Sequence, residues 1–594
     1  MKWWVNLLSQ FLMFGMPCAV TGQARSPQEA TLFRNTEPDV AYVGSQICSG
    51  CHAEIYESYR GTAMGQSMAL AGESSSLKRL PTPVTVFDQE QNRYFQVFSQ
   101  GADIFQSEFA LDSEGRERYK QTEKIAYVMG AGSQGIAHIL QKGNYLFEAP
   151  LSFYTLPGTW ALSPGYEFQN LGFSRPVVEE CIVCHSGLPQ PVPGRYGLYG
   201  DPPFRELAVG CENCHGPGKL HVSERTSGGP LPGELDSSIV NPSKLPAWLA
   251  DNICMNCHQG GDVRVLQPGK NYLDFRPGTP LDDTLAVFKI PLTRQSSPQS
   301  DLLEHNFSMR ISRCSRASGA RMRCTSCHDP HIRVTNDERA EYYRKKCLGC
   351  HAETSCVVAL QDRLKQSPPD DCSGCHMPKR AVKEVQHAAL TNHRIIRRSD
   401  EPYPEEAFGL TTASLPDLIH VSAIPGRDPA AVPALTLLQA YQILSSSNHR
   451  EYEGAYVKLL NKLAQPEPNN AIVLAALAQK AMAVETPEAR SKAIGYLSRA
   501  IQLGAGSPNV YLMLGHVLAR SGRTPEAIDI LKKGSTLFPY MTEFYQSMAV
   551  DQMSIGKYSD AVQSIKKGLE VFPGDTALKN LLKKSQRVLL PPIN

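Results

Sequence analysis

A chain of 594 residues is too long for one hydrophobic core, so at least two domains are expected. Its 60 Lys and Arg stand against 58 Asp and Glu, which leaves no electrostatic case for a nucleic acid partner. A hydrophobic content of 42% argues against disorder and suits a globular protein.

Residues 1–24 read as a secretory signal peptide. Lys2 is followed by an apolar stretch from Trp3 to Met16, broken by Asn6, Ser9 and Gln10, and then by the small-residue site Gly22-Gln23-Ala24. The stretch is short for a retained anchor, which needs about 20 apolar residues. Pro17 and Gly15 argue against a lipidated Cys18. No later segment is apolar enough to span a membrane. The expectation is a periplasmic or otherwise extracytoplasmic protein whose mature form starts near Arg25.

Seventeen cysteines in an exported chain would ordinarily suggest disulfides. Their spacing points elsewhere. The pattern C-x-x-C-H occurs seven times, with cysteines at Cys48 and Cys51, Cys181 and Cys184, Cys211 and Cys214, Cys254 and Cys257, Cys324 and Cys327, Cys347 and Cys350, and Cys372 and Cys375. Each pair is followed directly by a histidine: His52, His185, His215, His258, His328, His351 and His376. Two thiols on one turn can each bond a carbon on one edge of a porphyrin, and the next residue then lies under the iron as proximal ligand. Zinc sites and thioredoxin-like motifs also use C-x-x-C, but neither requires a histidine after every second cysteine. Seven haem c groups are therefore expected.

The motifs are unevenly spread. Cys324 to His376 is 53 residues holding three motifs, too little chain to wrap each haem separately, so these haems must cover one another. Short helices and long loops are expected over 25–430, with porphyrins as core. Between His52 and Cys181 the runs Val84–Phe87, Tyr94–Phe98, Ile104–Phe109, Ile125–Met129 and Tyr145–Phe147 predict a β-rich insertion over about 80–175. Packing is its simplest role; covering a haem or binding a partner are the others.

Beyond Pro433 the pattern turns to amphipathic helices with a 34-residue repeat. Tyr511, Gly522, Ala527, Gly534 and Pro539 recur as Tyr545, Gly556, Ala561, Gly568 and Pro573, and residues 575–590 read as a closing helix. Residues 431–594 thus resemble a tetratricopeptide-repeat solenoid. The fold class expected is mainly α: a haem-packed cytochrome domain with a β-rich insertion, then the solenoid. Such arrays present a surface to a protein or peptide, although this one could instead simply pack on the haem domain. Deleting residues beyond about 430 is expected to leave haem attachment and the low-spin spectrum intact while weakening partner association.

Nine histidines lie outside the motifs. His449 and His516 fall in the helical array and read as structural, leaving His138, His221, His305, His331, His387, His393 and His420 as candidate distal ligands. The segments CENCHGPGKLHV, CTSCHDPH, CSGCHMPK and QHAALTNHRI resemble multihaem cytochromes of the cytochrome c-554 type, in the hydroxylamine oxidoreductase and pentahaem nitrite reductase lineage. The resemblance covers about residues 40–400. It implies that His221 and His331 ligate haems other than those of their own motifs, and that His387 and His393 are ligands too. His331, three residues after His328 on the same side of a turn, cannot reach the opposite face of the same iron. Relatives often have a histidine after the first motif, where this chain has Met64 and Met68 in an expected helix. Three readings stand for the first haem: Met64 as ligand, His138 or His420 as ligand with both methionines as packing, or an open iron. The lysine-containing motif of the nitrite reductases is absent from the sequence.

The expected function is electron transfer along the haems, with redox partner proteins docked through the repeats, rather than conversion of a substrate. The alternatives are an oxidoreductase acting on a small nitrogen or sulfur oxyanion at an open haem, and a repeat-based interaction scaffold. Cys314 and Cys356 remain outside the motifs, and a disulfide between them is expected in an exported chain.

Overall fold

The computed structural model describes residues 33–589, except 75–76, 168, 229–234, 295–303, 320, 382–388, 409–417 and 429–430. The strand-rich part is larger than the expected insertion, because its strands run from Met68 to Glu206. A four-stranded antiparallel meander joins Val84–Asp88, Arg93–Gln100, Asp103–Leu111 and Glu117–Lys124 in chain order. A seven-stranded sheet is built around Gly135–Lys142, which pairs with Tyr127–Met129, Tyr145–Glu148 and Leu151–Tyr154. β-branched and aromatic residues on alternating positions supply the apolar faces, and Phe95, Val97, Ile139 and Leu140 are almost fully buried. At the hairpin from Lys142 to Tyr145, Gly143 takes φ +56, which a side chain rarely tolerates.

The motif-bearing segments are different. Their helices are short, such as Ser45–Cys48, Glu179–Ile182, Glu212–His215 and Cys372–His376, and the longest motif helix is Ala247–His258. Apart from Ala247–His258, these helices bury one side chain each or none. A small sheet of Val263–Leu266, Leu285–Lys289 and Ile419–His420 lies beside them in the chain.

Nine helices follow from Ala434–Ser446 to Thr576–Leu589 among the described residues, packed in successive antiparallel pairs. The repeat positions are buried where helices meet: Ala493, Ala527 and Ala561 are fully buried, and a Cβ on Gly515 would lie 2.7 Å from Leu531. Small residues there set the close helix approach. The array is held at both ends. Its first helix packs Leu437, Ala440, Tyr441 and Leu444 on Val263, Val265 and Phe288 of the small sheet. Its last repeats share one apolar cluster with the strand-rich part. There Tyr540 sits edge-on to Tyr145 at 5.2 Å and to Phe147 at 5.4 Å, and its hydroxyl donates to the Tyr196 carbonyl at 2.9 Å. Phe572 covers Gly172, where a Cβ would approach its ring to 2.5 Å, and Lys579 lies over the Tyr119 ring at 4.2 Å.

Candidate haem-ligand site

Each C-x-x-C-H motif is wound into a tight turn, and in most the histidine is brought back over the first cysteine. The His52 N–H donates to the Cys48 carbonyl at 2.9 Å, His215 to Cys211 at 3.0 Å, His328 to Cys324 at 3.1 Å and His351 to Cys347 at 3.0 Å. His258 ends the helix Ala247–His258 and His376 ends Cys372–His376. At the second motif the turn is tighter, with His185 donating to Ile182 at 3.0 Å.

The turns are brought together across long sequence separations. Cys48 lies beside Cys211, Cys184 beside Cys257, and Cys254 beside Cys324, near enough for each thiol to shift its neighbour's ionisation. Cys214 lies within electrostatic range of Cys254, Cys327 of Cys350, and Cys347 of Cys372. The motifs therefore form a contiguous set: first to third, third to fourth, second to fourth, and fourth onward through fifth and sixth to seventh. Tyr59 is wedged among them, its hydroxyl on the Val209 carbonyl at 2.8 Å and its charge environment set in part by Cys214, Cys211 and Cys257.

Four motif histidines face a second histidine ring. The centroid separations are 6.4 Å for His52 and His221, 6.0 Å for His215 and His331, 5.8 Å for His258 and His305, and 6.1 Å for His328 and His393. A metal–imidazole bond of about 2 Å on each side puts two ring centroids roughly 6 Å apart. The four separations match that spacing. In several of these rings the other nitrogen is already engaged. Nδ1 of His215 meets the Val240 carbonyl at 2.8 Å, that of His393 the Thr391 carbonyl at 2.9 Å, that of His328 the Tyr343 hydroxyl at 3.1 Å, and that of His221 the Ser238 hydroxyl at 3.1 Å. Such contacts fix the ring and leave Nε2 for a metal. Burial and the neighbouring His393, His258 and His328 push the His305 pKa down to about 3, so its imidazole is neutral, as a ligand must be. His376 is held in the same way, with Nδ1 on the Ile396 carbonyl at 2.7 Å.

Three candidates are placed elsewhere. The ring beside His52 is that of His221. The expected helix carrying Met64 and Met68 does not form, since the helix Ala53–Arg60 ends before Met64 and Met68 begins a strand, 3% exposed in an apolar cluster. His138 lies in the core of the seven-stranded sheet, ring to ring with Trp160 at 5.2 Å, and Nδ1 meets Gln106 and the Leu151 carbonyl at 3.2 Å each. The coordinating nitrogen of His420 is taken by Asp282 at 2.6 Å, and its ring packs on Phe288. These two histidines stabilise sheets, which a lone histidine among apolar neighbours cannot reveal in sequence. His387 lies outside the described residues. The expected Cys314–Cys356 disulfide is not formed; both thiols are free, and Cys314 instead lies within electrostatic range of Cys350.

Sequence reading missed the polar residues that join one motif to the next. Gln259, fully buried directly after His258, donates to Glu304 at 2.7 Å and accepts from the Phe307 N–H at 3.0 Å, so the motif is tied to the helix carrying His305. Asp251 accepts from the Cys324 N–H at 2.9 Å and from Asn306 at 3.2 Å. Nothing in their local sequence separates them from ordinary surface residues. Among the described residues no group of three or more His, Cys, Asp or Glu is gathered for a metal ion. No described helix is long and apolar enough to cross a membrane.

The chain combines a region similar to multihaem cytochromes with a tetratricopeptide-like region. No family model matches it. It is 25% identical over 234 residues to the multiheme cytochrome MtrA of Shewanella baltica (strain OS185), covering 38% of this chain and 61% of that protein. It is 31% identical over 116 residues to the small glutamine-rich tetratricopeptide repeat-containing protein 2 of Mycosarcoma maydis, covering 20% of this chain and 32% of that protein. The chain thus spans less than two thirds of either relative. Among solved structures, MamA matches 25% of this chain and 84% of its own at 19% identity and a TM-score of 0.22. YrrB, described as a TPR protein with an unusual peptide-binding site, matches 26% of this chain and 78% of its own at 17% identity and a TM-score of 0.23.

Proposed function

We propose that this chain is an extracytoplasmic electron-transfer protein with seven covalently attached haems, and that its repeats serve contacts with a redox partner. The observation that carries the reading is the set of four facing histidine pairs, 5.8 to 6.4 Å apart, on motifs that adjoin one another. The similarity to a multihaem cytochrome supports it. Haem iron, when bound, takes up and releases single electrons. The residues of this chain supply attachment through fourteen cysteines, axial ligation through the motif histidines, and opposing ligation through His221, His331, His305 and His393. Hydrogen bonds to Nδ1 hold the rings of His215, His221, His328, His376 and His393 and leave their Nε2 atoms available to a metal. Contact between adjoining motifs would keep the groups close, as electron hopping requires. In the same reading His387 opposes one of the remaining motif histidines.

Intact mass spectrometry of protein matured with a full haem-attachment system tests the reading. The expected mass is the mature chain plus seven haems. Fewer than six attached haems would reject it.

A further inference from the structure

Glu212 occupies the position after Cys211, inside the third motif. It is 1% exposed, and its carboxylate faces backbone N–H groups. The Val43 N–H donates to Oε1 at 3.0 Å and to Oε2 at 3.1 Å, the Gly44 N–H to Oε2 at 2.7 Å, and the Gly218 N–H to Oε1 at 2.6 Å. A carboxylate this deep is costly unless such donors replace its water, and charge-assisted bonds of this kind are among the stronger ones in proteins.

The donors are not arbitrary. Gly44 directly precedes the helix Ser45–Cys48, which begins the first motif. Gly218 directly precedes the helix Lys219–Thr226, which carries His221. One side chain, fixed on the turn of the third motif, therefore holds the starts of the two segments whose histidines, His52 and His221, face each other at 6.4 Å. The loop between is shaped for this approach. A Cβ on Gly218 would lie 3.1 Å from Val43 and 3.2 Å from Glu212 Oε1, and one on Gly216, at φ +71, would lie 2.9 Å from the Asn35 amide nitrogen. Asn35 in turn donates to the His215 and Pro217 carbonyls at 2.9 and 3.2 Å.

We propose that Glu212 is a positioning residue for the first haem: by clasping Gly44 and Gly218 it sets His221 across from His52. This rests on the reading of His221 as that haem's distal ligand. The test compares Glu212→Ala, Glu212→Gln and His221→Ala in the full chain, with haem count by mass, spin state by EPR and a redox titration. In His221→Ala one haem becomes high-spin. In Glu212→Ala seven haems remain attached, a partial high-spin population appears, added imidazole returns it to low-spin, and one potential shifts. Glu212→Gln, which keeps one acceptor oxygen, shows a smaller effect in the same direction. If His221→Ala is high-spin while both Glu212 variants stay low-spin with unchanged potentials, the positioning role is overturned and the ligand reading stands. If His221→Ala itself stays low-spin, the ligand reading has failed. If neither Glu212 variant accumulates with seven haems, Glu212 serves folding and the proposal is equally overturned.

Discussion

Cutting the chain after residue 430 is expected to unfold its strand-rich part, not to release a stable cytochrome. The array shares an apolar cluster with the sheets: Phe538, Tyr540, Phe544 and Tyr545 are buried together with Phe95, Leu140, Phe147 and Trp160. Its first helix also covers Val263, Val265 and Phe288. Truncating one large buried aromatic typically costs about 3–5 kcal/mol. Removing the whole set exceeds the roughly 5–15 kcal/mol by which a typical domain is stable. A milder form of the experiment is Tyr540→Ala, which loses two ring contacts and the hydrogen bond to Tyr196. A loss of about 3–5 kcal/mol is expected, read as a lower thermal midpoint. A truncated chain that stays soluble with an unchanged melt and full haem load would show instead that the array is a removable module.

Replacing His305 is expected to have the largest effect on electron flow of any single substitution. Its ring faces His258 at 5.8 Å and touches His393 at 4.5 Å. The motif of His258 adjoins those of the second, third and fifth haems, through Cys257 with Cys184, Cys254 with Cys214, and Cys254 with Cys324. His305→Ala should produce a high-spin signal from one haem and slow the equilibration of electrons between the two ends of the chain. His305→Met should keep that haem low-spin and raise its potential, because methionine ligation favours the reduced state. Stopped-flow reduction and a spectroelectrochemical titration measure the two effects. Unchanged kinetics and potentials in both variants would remove His305 from the ligand set.

Local chemistry was the part of this protein that could be read from sequence. The seven motifs predict tight turns, and hydrogen bonds such as His52 to Cys48 form them. The repeat register predicts helix pairs, and Ala527 and Ala561 are buried where two helices meet. Alternation over Val84–Phe87 and Tyr94–Phe98 predicts strands, found as Val84–Asp88 and Arg93–Gln100. What escaped sequence was long-range. The edges of the sheets, such as Met68–Leu70 and Tyr199–Glu206, are short or proline-rich and carry no clear period of two. The helix Ala53–Arg60 stops at its C-cap Gly61, three residues before Met64, and nothing in the local sequence marks that end as final. The ring that faces His52 is brought there by contacts far apart in sequence, such as the Gly44 N–H on Glu212, which no spacing rule encodes. His138 and His420 look like candidate ligands in sequence, and only their neighbours Trp160 and Asp282 give them another role.

Histidine pairs, not methionine or an open face, are expected to flank irons held on adjoining motifs. An anomalous difference map at the iron absorption edge, from crystals of the holoprotein, tests it most directly. Seven iron peaks are expected, four of them lying between His52 and His221, His215 and His331, His258 and His305, and His328 and His393. Irons lying away from these pairs, or a first-motif iron bound by Met64, would contradict it.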